Sequence, residues 1–228
     1  METTPPTVSL TLDELASRAD SLITDNRRRI RGITGAPGAG KSTASQAIAA
    51  KLGSRCAIVE MDGFHLANRE LDKLSRRERK GAPDTFDAGG YAALLRRLQA
   101  SDATVYTPVF DREIDESIGS ATAVEPHTPL IVTEGNYLLL PTGGWPDVRA
   151  ALDEVWYLDV PEATRTERLV KRHSRFGKSS EAAAEWVERV DQPNADLIRA
   201  VRSRADLIVE IVPALSPQPT HHPASPRK

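Results

Sequence analysis

Apolar and polar positions follow two rhythms along this chain, and the rhythms separate strands from helices. Short, almost continuously apolar runs lie at Cys56 to Asp62, Pro129 to Glu134, Glu154 to Val160 and Asp206 to Ile211. Runs of that length suit strands buried on both faces. Ile30 and Ile33 mark another strand just ahead of a glycine-rich turn. Between the runs, apolar residues recur three and four positions apart, which predicts helices with one face turned to a core. Leu12, Leu15, Ala19, Leu22 and Ile23 form one such face, opened by a capping box from Thr11 and Glu14. Ser42 to Leu52 gives a second helix, and Tyr91, Leu94, Leu95 and Leu98 within Gly89 to Gln99 a third. Helical signal returns from Pro161 to Arg175 and from Ser179 to Arg204, where Pro193 predicts a kink.

Strands alternating with helices predict an α/β fold, a parallel sheet with right-handed crossovers and helices on both faces. Val105 to Ile114 is β-rich but interrupted by Pro108, so it reads as an edge strand or a ribbon leaving the main sheet. Residues 1–10 read as a loose lead-in, and 1–28 as an N-terminal unit whose helix packs on the sheet edge. Residues 29–212 make the main domain, and 213–228, rich in Pro, Ser and His, a disordered tail. His221 and His222 lie in that tail, where two neighbouring histidines usually hold no metal. Arg69 to Lys80 is dense in charge and is expected to be a solvated helix or loop.

With 228 residues the chain accommodates one substantial domain. A formal charge of −2 gives no general attraction to nucleic acid or to an anionic membrane. The single Cys56 has no partner for an intramolecular disulfide, which suits a reducing compartment and a packed thiol. The opening METTPPTVSL lacks the basic and apolar segments of a leader, and no apolar run reaches the roughly 20 residues of a membrane span. The expectation is a soluble, cytoplasmic protein with a small-molecule partner, without nucleic acid or membrane, and a homodimer is compatible with it.

Chemistry concentrates at Gly35-Ala36-Pro37-Gly38-Ala39-Gly40-Lys41-Ser42, which fits G-x-x-x-x-G-K-[ST] between a predicted strand and a predicted helix. Gly35, Gly38 and Gly40 let successive N–H groups face phosphate oxygens, and Lys41 adds a charge for β and γ phosphates. The helix opening at Ser42 and Thr43 turns its positive end to the same anion, and Ser42 can place a hydroxyl on Mg²⁺. In such sheets the ligand sits beyond the carboxyl ends of the strands, so Asp62, Glu134 and Asp159 share that rim.

Asp62, followed by Gly63 in a tight turn, reads as a general base or as an ordinary Asp-Gly turn. Glu134 reads as a Mg²⁺ ligand, direct or through water, or as a buried ion partner. His65 and Tyr137 follow the two acids as substrate contacts or as packing. Tyr106 and Arg112, with Tyr137, offer aromatic faces and a guanidinium to a hydroxylated acceptor. Arg165, Arg168 and Arg172 share one helical face, which either neutralises charge on a transferred group or stands solvated. Phe176-Gly177-Lys178 follows as a hinge.

After the phosphate loop come MDGFH (Met61 to His65), KGAPDTFDA (Lys80 to Ala88), YTPVFDRE (Tyr106 to Glu113), VTEGNYLLL (Val132 to Leu140) and RTERLVKRH (Arg165 to His173). In this order they resemble the P-loop kinases that include uridine kinase, phosphoribulokinase and bacterial pantothenate kinase. The resemblance is strongest to the nucleoside-kinase-like branch labelled as fructose transport system kinases, and it spans Ile30 to Ile211. It implies a P-loop NTPase with a helical lid, and transfer of the γ-phosphoryl group of ATP to a hydroxyl of a small metabolite such as a nucleoside, a pantothenate-like compound or a sugar. It further implies Asp62 as the base, Lys41 and Ser42 holding Mg-ATP, Glu134 assisting the metal, and Arg168 and Arg172 in a mobile lid. Uridine kinases carry a histidine and an arginine after a Tyr-Asp-Phe motif. This chain has Pro108-Val109-Phe110-Asp111-Arg112 there, a departure from the uridine pocket. The competing class is a nucleotide-binding regulator or sensor without an acceptor. An Asn/Thr-Lys-x-Asp guanine motif and a Leu-Ser-Gly-Gly-Gln signature are both missing from the sequence, which sets aside GTPase switches and transporter ATPases.

Overall fold

A computed structural model describes residues 4–24 and 27–214. His221 and His222, with nearly all of the expected tail, lie outside the described residues. In chain order the elements are β1 (Thr7–Leu10), α1 (Leu12–Ser21), β2 (Arg29–Thr34), α2 (Lys41–Leu52), β3 (Cys56–Glu60), α3 (Asn68–Lys73), α4 (Ala88–Ala100) and β4 (Val105–Asp111). They continue with β5 (Glu116–Val124), β6 (Leu130–Glu134), α5 (Trp145–Ala150), β7 (Glu154–Asp159), α6 (Glu162–Arg175), α7 (Ser180–Trp186), α8 (Gln192–Arg199) and β8 (Leu207–Ile211).

Six strands form one parallel sheet in the order β1-β8-β7-β2-β6-β3, and β4 with β5 makes a separate antiparallel ribbon. Side-chain alternation along the strands creates two cores. On β7, Val155 and Tyr157 join Tyr91 and Leu95 of α4, Val148 of α5 and Ile198 of α8. Trp156 and Leu158 face the other way, against Leu15 and Ala19 of α1 and Ile48 of α2. The sheet therefore carries helices on both faces. Among the described residues no helix is long and apolar enough to cross a membrane.

Two expectations are corrected here. Residues 7–10 are not a loose lead-in but strand β1, paired with β8 from Thr7↔Ile208 to Leu10↔Ile211. With only four residues on an edge, half of them exposed, β1 lacks the apolar run that announces the central strands. Helix α1 consequently covers a face of the sheet beside α2 rather than an edge. Its capping box is present, with Thr11 Oγ1 accepting from the Glu14 amide and Glu14 from the Thr11 amide.

The long C-terminal helical stretch is not one regular α-helix around Pro193. It widens into a π turn over Val187–Asp191, where the Gln192 amide donates to the Val187 carbonyl, and Pro193 falls at the second position of α8. Proline has no N–H to donate, and the widened turn ahead of it absorbs the misfit. Just before β2, the buried Arg28 donates to the carbonyls of Leu98 (2.6 Å), Pro126 (2.7 Å), Glu125 (2.8 Å) and Thr128 (2.9 Å), tying the end of α4 to the β5–β6 connection.

Candidate active site

Central strand β2 ends at Thr34, and the chain turns through residues 35–40 into α2. Gly38 has φ 82°, and a Cβ there would lie 2.8 Å from the Arg165 carbonyl oxygen, so any side chain would push α6 off the loop. Lys41 Nζ donates to the carbonyls of Gly35 (3.0 Å) and Ala36 (3.3 Å). Burial lowers its pKa, while Glu134 and Asp62 favour its charge. Register places Glu134 opposite Ile33 of β2, and its Oε1 accepts a 2.6 Å hydrogen bond from Ser42 Oγ. Burial raises the Glu134 pKa, with Lys41 and Ser42 acting against the rise.

A hydroxyl and a carboxylate oxygen side by side suit a hard divalent cation such as Mg²⁺. Among the described residues no cluster of three or more His, Cys, Asp or Glu could hold a metal. Mg²⁺ typically takes one or two protein oxygens and completes its shell with water and phosphate.

Beyond β3, Met61–Phe64 makes a 3₁₀ turn that carries Asp62. The tight turn expected there is present, and crowding requires the glycine: a Cβ on Gly63 would lie 2.6 Å from the Pro108 carbonyl oxygen of β4. Asp62 Oδ2 accepts from Arg112 Nη2 at 3.2 Å. His65 Nδ1 lies 2.8 Å from the Asp62 carbonyl, and since a carbonyl only accepts, Nδ1 carries the proton. The ring sits against Phe86 and Phe110, with centroids 4.0 and 4.6 Å away, and burial lowers its pKa. A neutral imidazole with Nε2 as acceptor follows.

These groups line one cavity of about 420 Å³. Lys41, Ser42, Asp62, Glu134 and Arg172 border it, together with His65, Phe110, Arg112 and Asn194. Two predicted acceptor contacts are not on its wall. Tyr106 is 57% exposed on the ribbon, outside the cavity lining. Pairing shifts register between Thr107 and Val109 around Pro108, and Phe110 beyond the break is the aromatic residue that faces the cavity. Tyr137 is fully buried, its hydroxyl donating to the Gly81 carbonyl and lying 3.1 Å from Asn194 Oδ1. It supports two residues of the wall from behind.

The charged segment from Arg69 to Lys80 is likewise more than a solvated face, because Arg77, Glu78 and Lys80 reach the cavity. Lys80 Nζ donates to Asn68 Oδ1 at 2.6 Å, pairs with Asp115 at 3.2 Å, and lies 4.9 Å from the centre of the Phe110 ring. Arg77 pairs with the same Asp115 at 3.1 Å, so the segment clasps the tip of the ribbon.

Arg165, Arg168 and Arg172 of α6 part company. Arg165 is 1% exposed beneath the phosphate loop, donating to the Pro37 carbonyl at 3.3 Å and to Gln192 Oε1. Arg168 is exposed and reaches the Gly38 carbonyl at 3.4 Å, and Arg172 faces the cavity. On the far side of the loop lies a second cleft of about 880 Å³, bordered by Gly40, Thr43, Val160, Arg168, Ile211 and Val212 among others. Asp159 also borders it, with its carboxylate paired to Arg202 at 2.6 Å.

Residues 30–216 match the model of the Phosphoribulokinase / Uridine kinase family. The chain belongs to that family. Within it, the chain is 33% identical over 210 residues to a Schizosaccharomyces pombe protein provisionally named a uridine kinase, an alignment covering 87% of this chain and 89% of that one. A crystal structure from Silicibacter sp. TM1040, provisionally named a fructose transport system kinase, is 38% identical with a TM-score of 0.79, covering 87% of this chain and 98% of that one. YFH7 of Saccharomyces cerevisiae, described as a P-loop containing kinase with a circular permutation, superposes with a TM-score of 0.72 at 18% identity over 88% of this chain and 97% of that one, which speaks to the fold alone.

The P-loop kinase fold and the family together imply an ATP-binding phosphotransferase. For this family member, sequence reasoning missed the contribution of α7 and the π turn, from which Trp186, Val190 and Asp191 also line the smaller cavity. Asp191 Oδ2 lies 2.8 Å from His173 Nε2 of α6, bridging two lid segments. Only the RTERLVKRH resemblance, which ends on His173, hinted at that partner. The larger cleft was missed as well, since its walls come from segments about 200 residues apart.

Proposed function

We propose that this protein transfers the γ-phosphoryl group of Mg-ATP to a hydroxyl of a small, ring-bearing, hydroxylated metabolite. The observation that carries the reading is that Asp62 and the phosphate loop border the same cavity, while Ala39 and Gly40 of the loop and Thr43 of α2 border a second, larger cleft. A triphosphate on the loop would send its nucleoside end into the larger cleft and its γ end toward Asp62. A cavity of about 420 Å³ is in the range of small-molecule sites.

In the proposed reaction the Asp62 carboxylate accepts the proton of the acceptor hydroxyl. The acceptor's hydroxyl oxygen then forms a bond to the γ phosphorus as the bond to the β–γ bridging oxygen breaks, releasing ADP. Lys41 and Arg172 hold the charge of the transferred group, and Arg112, 3.2 Å from Asp62, contacts the acceptor. Ser42 and Glu134 would hold Mg²⁺, which when bound neutralises the β and γ phosphates. The imidazole of His65 offers Nε2 to a second acceptor hydroxyl, and Phe110 a face to its ring.

The test is a screen of nucleosides, sugars and pantothenate-like acids, reading ADP release with and without each compound. An acceptor-dependent rate that Asp62→Asn removes supports the reading. Tight nucleotide binding with no acceptor-dependent turnover would instead mark a nucleotide sensor.

A further inference from the structure

The wall of the larger cleft has an unexpected source. Leu12, the first residue of α1, stands on it together with Val160, Ile211 and Val212. Leu12, Val160 and Ile211 are only partly buried, packed at the margin of the α1–α2 core, so they leave apolar surface facing the cleft.

The N-terminal segment also holds the opposite wall in place. The Val212 amide donates to the Leu10 carbonyl at 2.9 Å, one step past the Leu10↔Ile211 pair that ends the β1–β8 ladder. Ser9 Oγ donates to Glu210 Oε2 at 3.0 Å, and Glu210 borders the same cleft. The Thr11 capping box fixes where α1 begins and hence where Leu12 projects. All of these N-terminal residues precede residues 30–216, the stretch that matches the family model.

We infer that β1 and the start of α1 form part of the nucleotide-donor site, with Leu12 and the Val212 segment enclosing the base of the donor between apolar walls. The inference rests on the kinase reading above, because it is the phosphate loop that directs a nucleoside into this cleft. Energetically the base is desolvated against half-exposed aliphatic groups, while the phosphates are bound elsewhere by the loop, so the two contributions can be measured apart.

The experiment compares Mg-ATP with magnesium inorganic tripolyphosphate, which carries the phosphates but no base, by calorimetry on the full chain. Leu12→Trp places an indole where the base would lie, and its helical start tolerates the change. ATP affinity is expected to fall roughly tenfold or more, the equivalent of one well-packed apolar contact, with tripolyphosphate affinity kept within about twofold. Val212→Trp repeats the test from the opposite wall at a residue outside any helix or strand. Equal losses for both ligands, or no loss for either in folded variants, overturn the inference alone. A wild-type protein that binds neither ligand overturns the donor reading and the inference with it.

Discussion

Ser42 Oγ donates a 2.6 Å hydrogen bond to Glu134 Oε1, joining the first turn of α2 to the last residue of β6. The bond aims two oxygens of different elements at one point beside the phosphate loop. If that point is the Mg²⁺ site, Ser42→Ala and Glu134→Gln each raise the Mg²⁺ concentration for half-maximal turnover by about tenfold or more. Titrating Mg²⁺ at saturating nucleotide checks this, and an unchanged midpoint removes both residues from the metal.

Lys41→Ala should leave the protein folded while weakening nucleotide binding by about 1.5 to 3 kcal/mol, the value of a hydrogen bond to a charged group. Burial holds the Lys41 pKa below its ordinary 10.5. A lysine with a depressed pKa contributes its full stability only above that ordinary value and loses it as pH falls through the folded pKa. At neutral pH its charge therefore burdens the fold, and removal should not lower the melting temperature. Calorimetric binding and thermal unfolding of the variant decide both halves.

Asp62→Asn should lower turnover by ~10² to 10⁴ with ATP affinity nearly unchanged, the pattern of a lost general base. Arg112→Ala should instead raise the KM for the acceptor, because its guanidinium sits 3.2 Å from Asp62 on the exposed side of the cavity. Steady-state kinetics on both variants separate the roles. ATP affinity collapsing with turnover in Asp62→Asn would make Asp62 a metal ligand or a structural residue.

The phosphate loop was legible because its chemistry is written in backbone spacing, which sequence preserves directly. Strands β6, β7 and β8 were legible because burial on both faces forces an apolar run. Strand β2 was legible because Ile30 and Ile33 precede the glycine-rich turn, and β3 from its apolar run, although it is an edge strand with only Val59 fully buried. Lys80 was not, since a charge run reads as solvated until the ribbon delivers Asp115 to it. Phe110 was passed over for Tyr106 because which aromatic residue faces the cavity depends on the register shift at Pro108, a property of pairing. The π turn at Val187–Asp191 and the four-residue β1 leave no periodicity long enough to detect.

Arg28→Met should destabilise the fold by about 3 kcal/mol, since four carbonyls lose their donor and cannot all reach water. For a chain of this size that corresponds to a fall of roughly 6 to 12 °C in Tm. Thermal or urea unfolding reads it, and an unchanged Tm would mean that these carbonyls find other partners.

Burial pushes the Cys56 thiol up to about 12. At pH 8 its alkylation in the native protein should run about 10³-fold slower than that of a free thiol, because the thiolate is the reactive form. The rate should climb about tenfold per pH unit toward that value. A thiol raised from its ordinary 9.0 stabilises the fold below pH 9 and loses that contribution as pH rises toward about 12. Mass-spectrometric labelling across pH checks the order, and rapid native labelling at pH 8 would refute it.

The backbone of Pro108 occupies the space where Gly63 would carry a side chain. The turn bearing the base and the strand leading to the ribbon tip are therefore one mechanical part, and neither can drift without displacing the other. Strand β4 cannot slide as a whole, because the Asp62 carboxylate would move with it. At the tip, residues 112–115, contacts are made by side chains instead, with Arg112 paired to Asp62 and Asp115 to Arg77 and Lys80. Crowding under Gly63 therefore fixes where the Asp62 carboxylate stands, and side-chain pairs at the hairpin tip set what stands beside it.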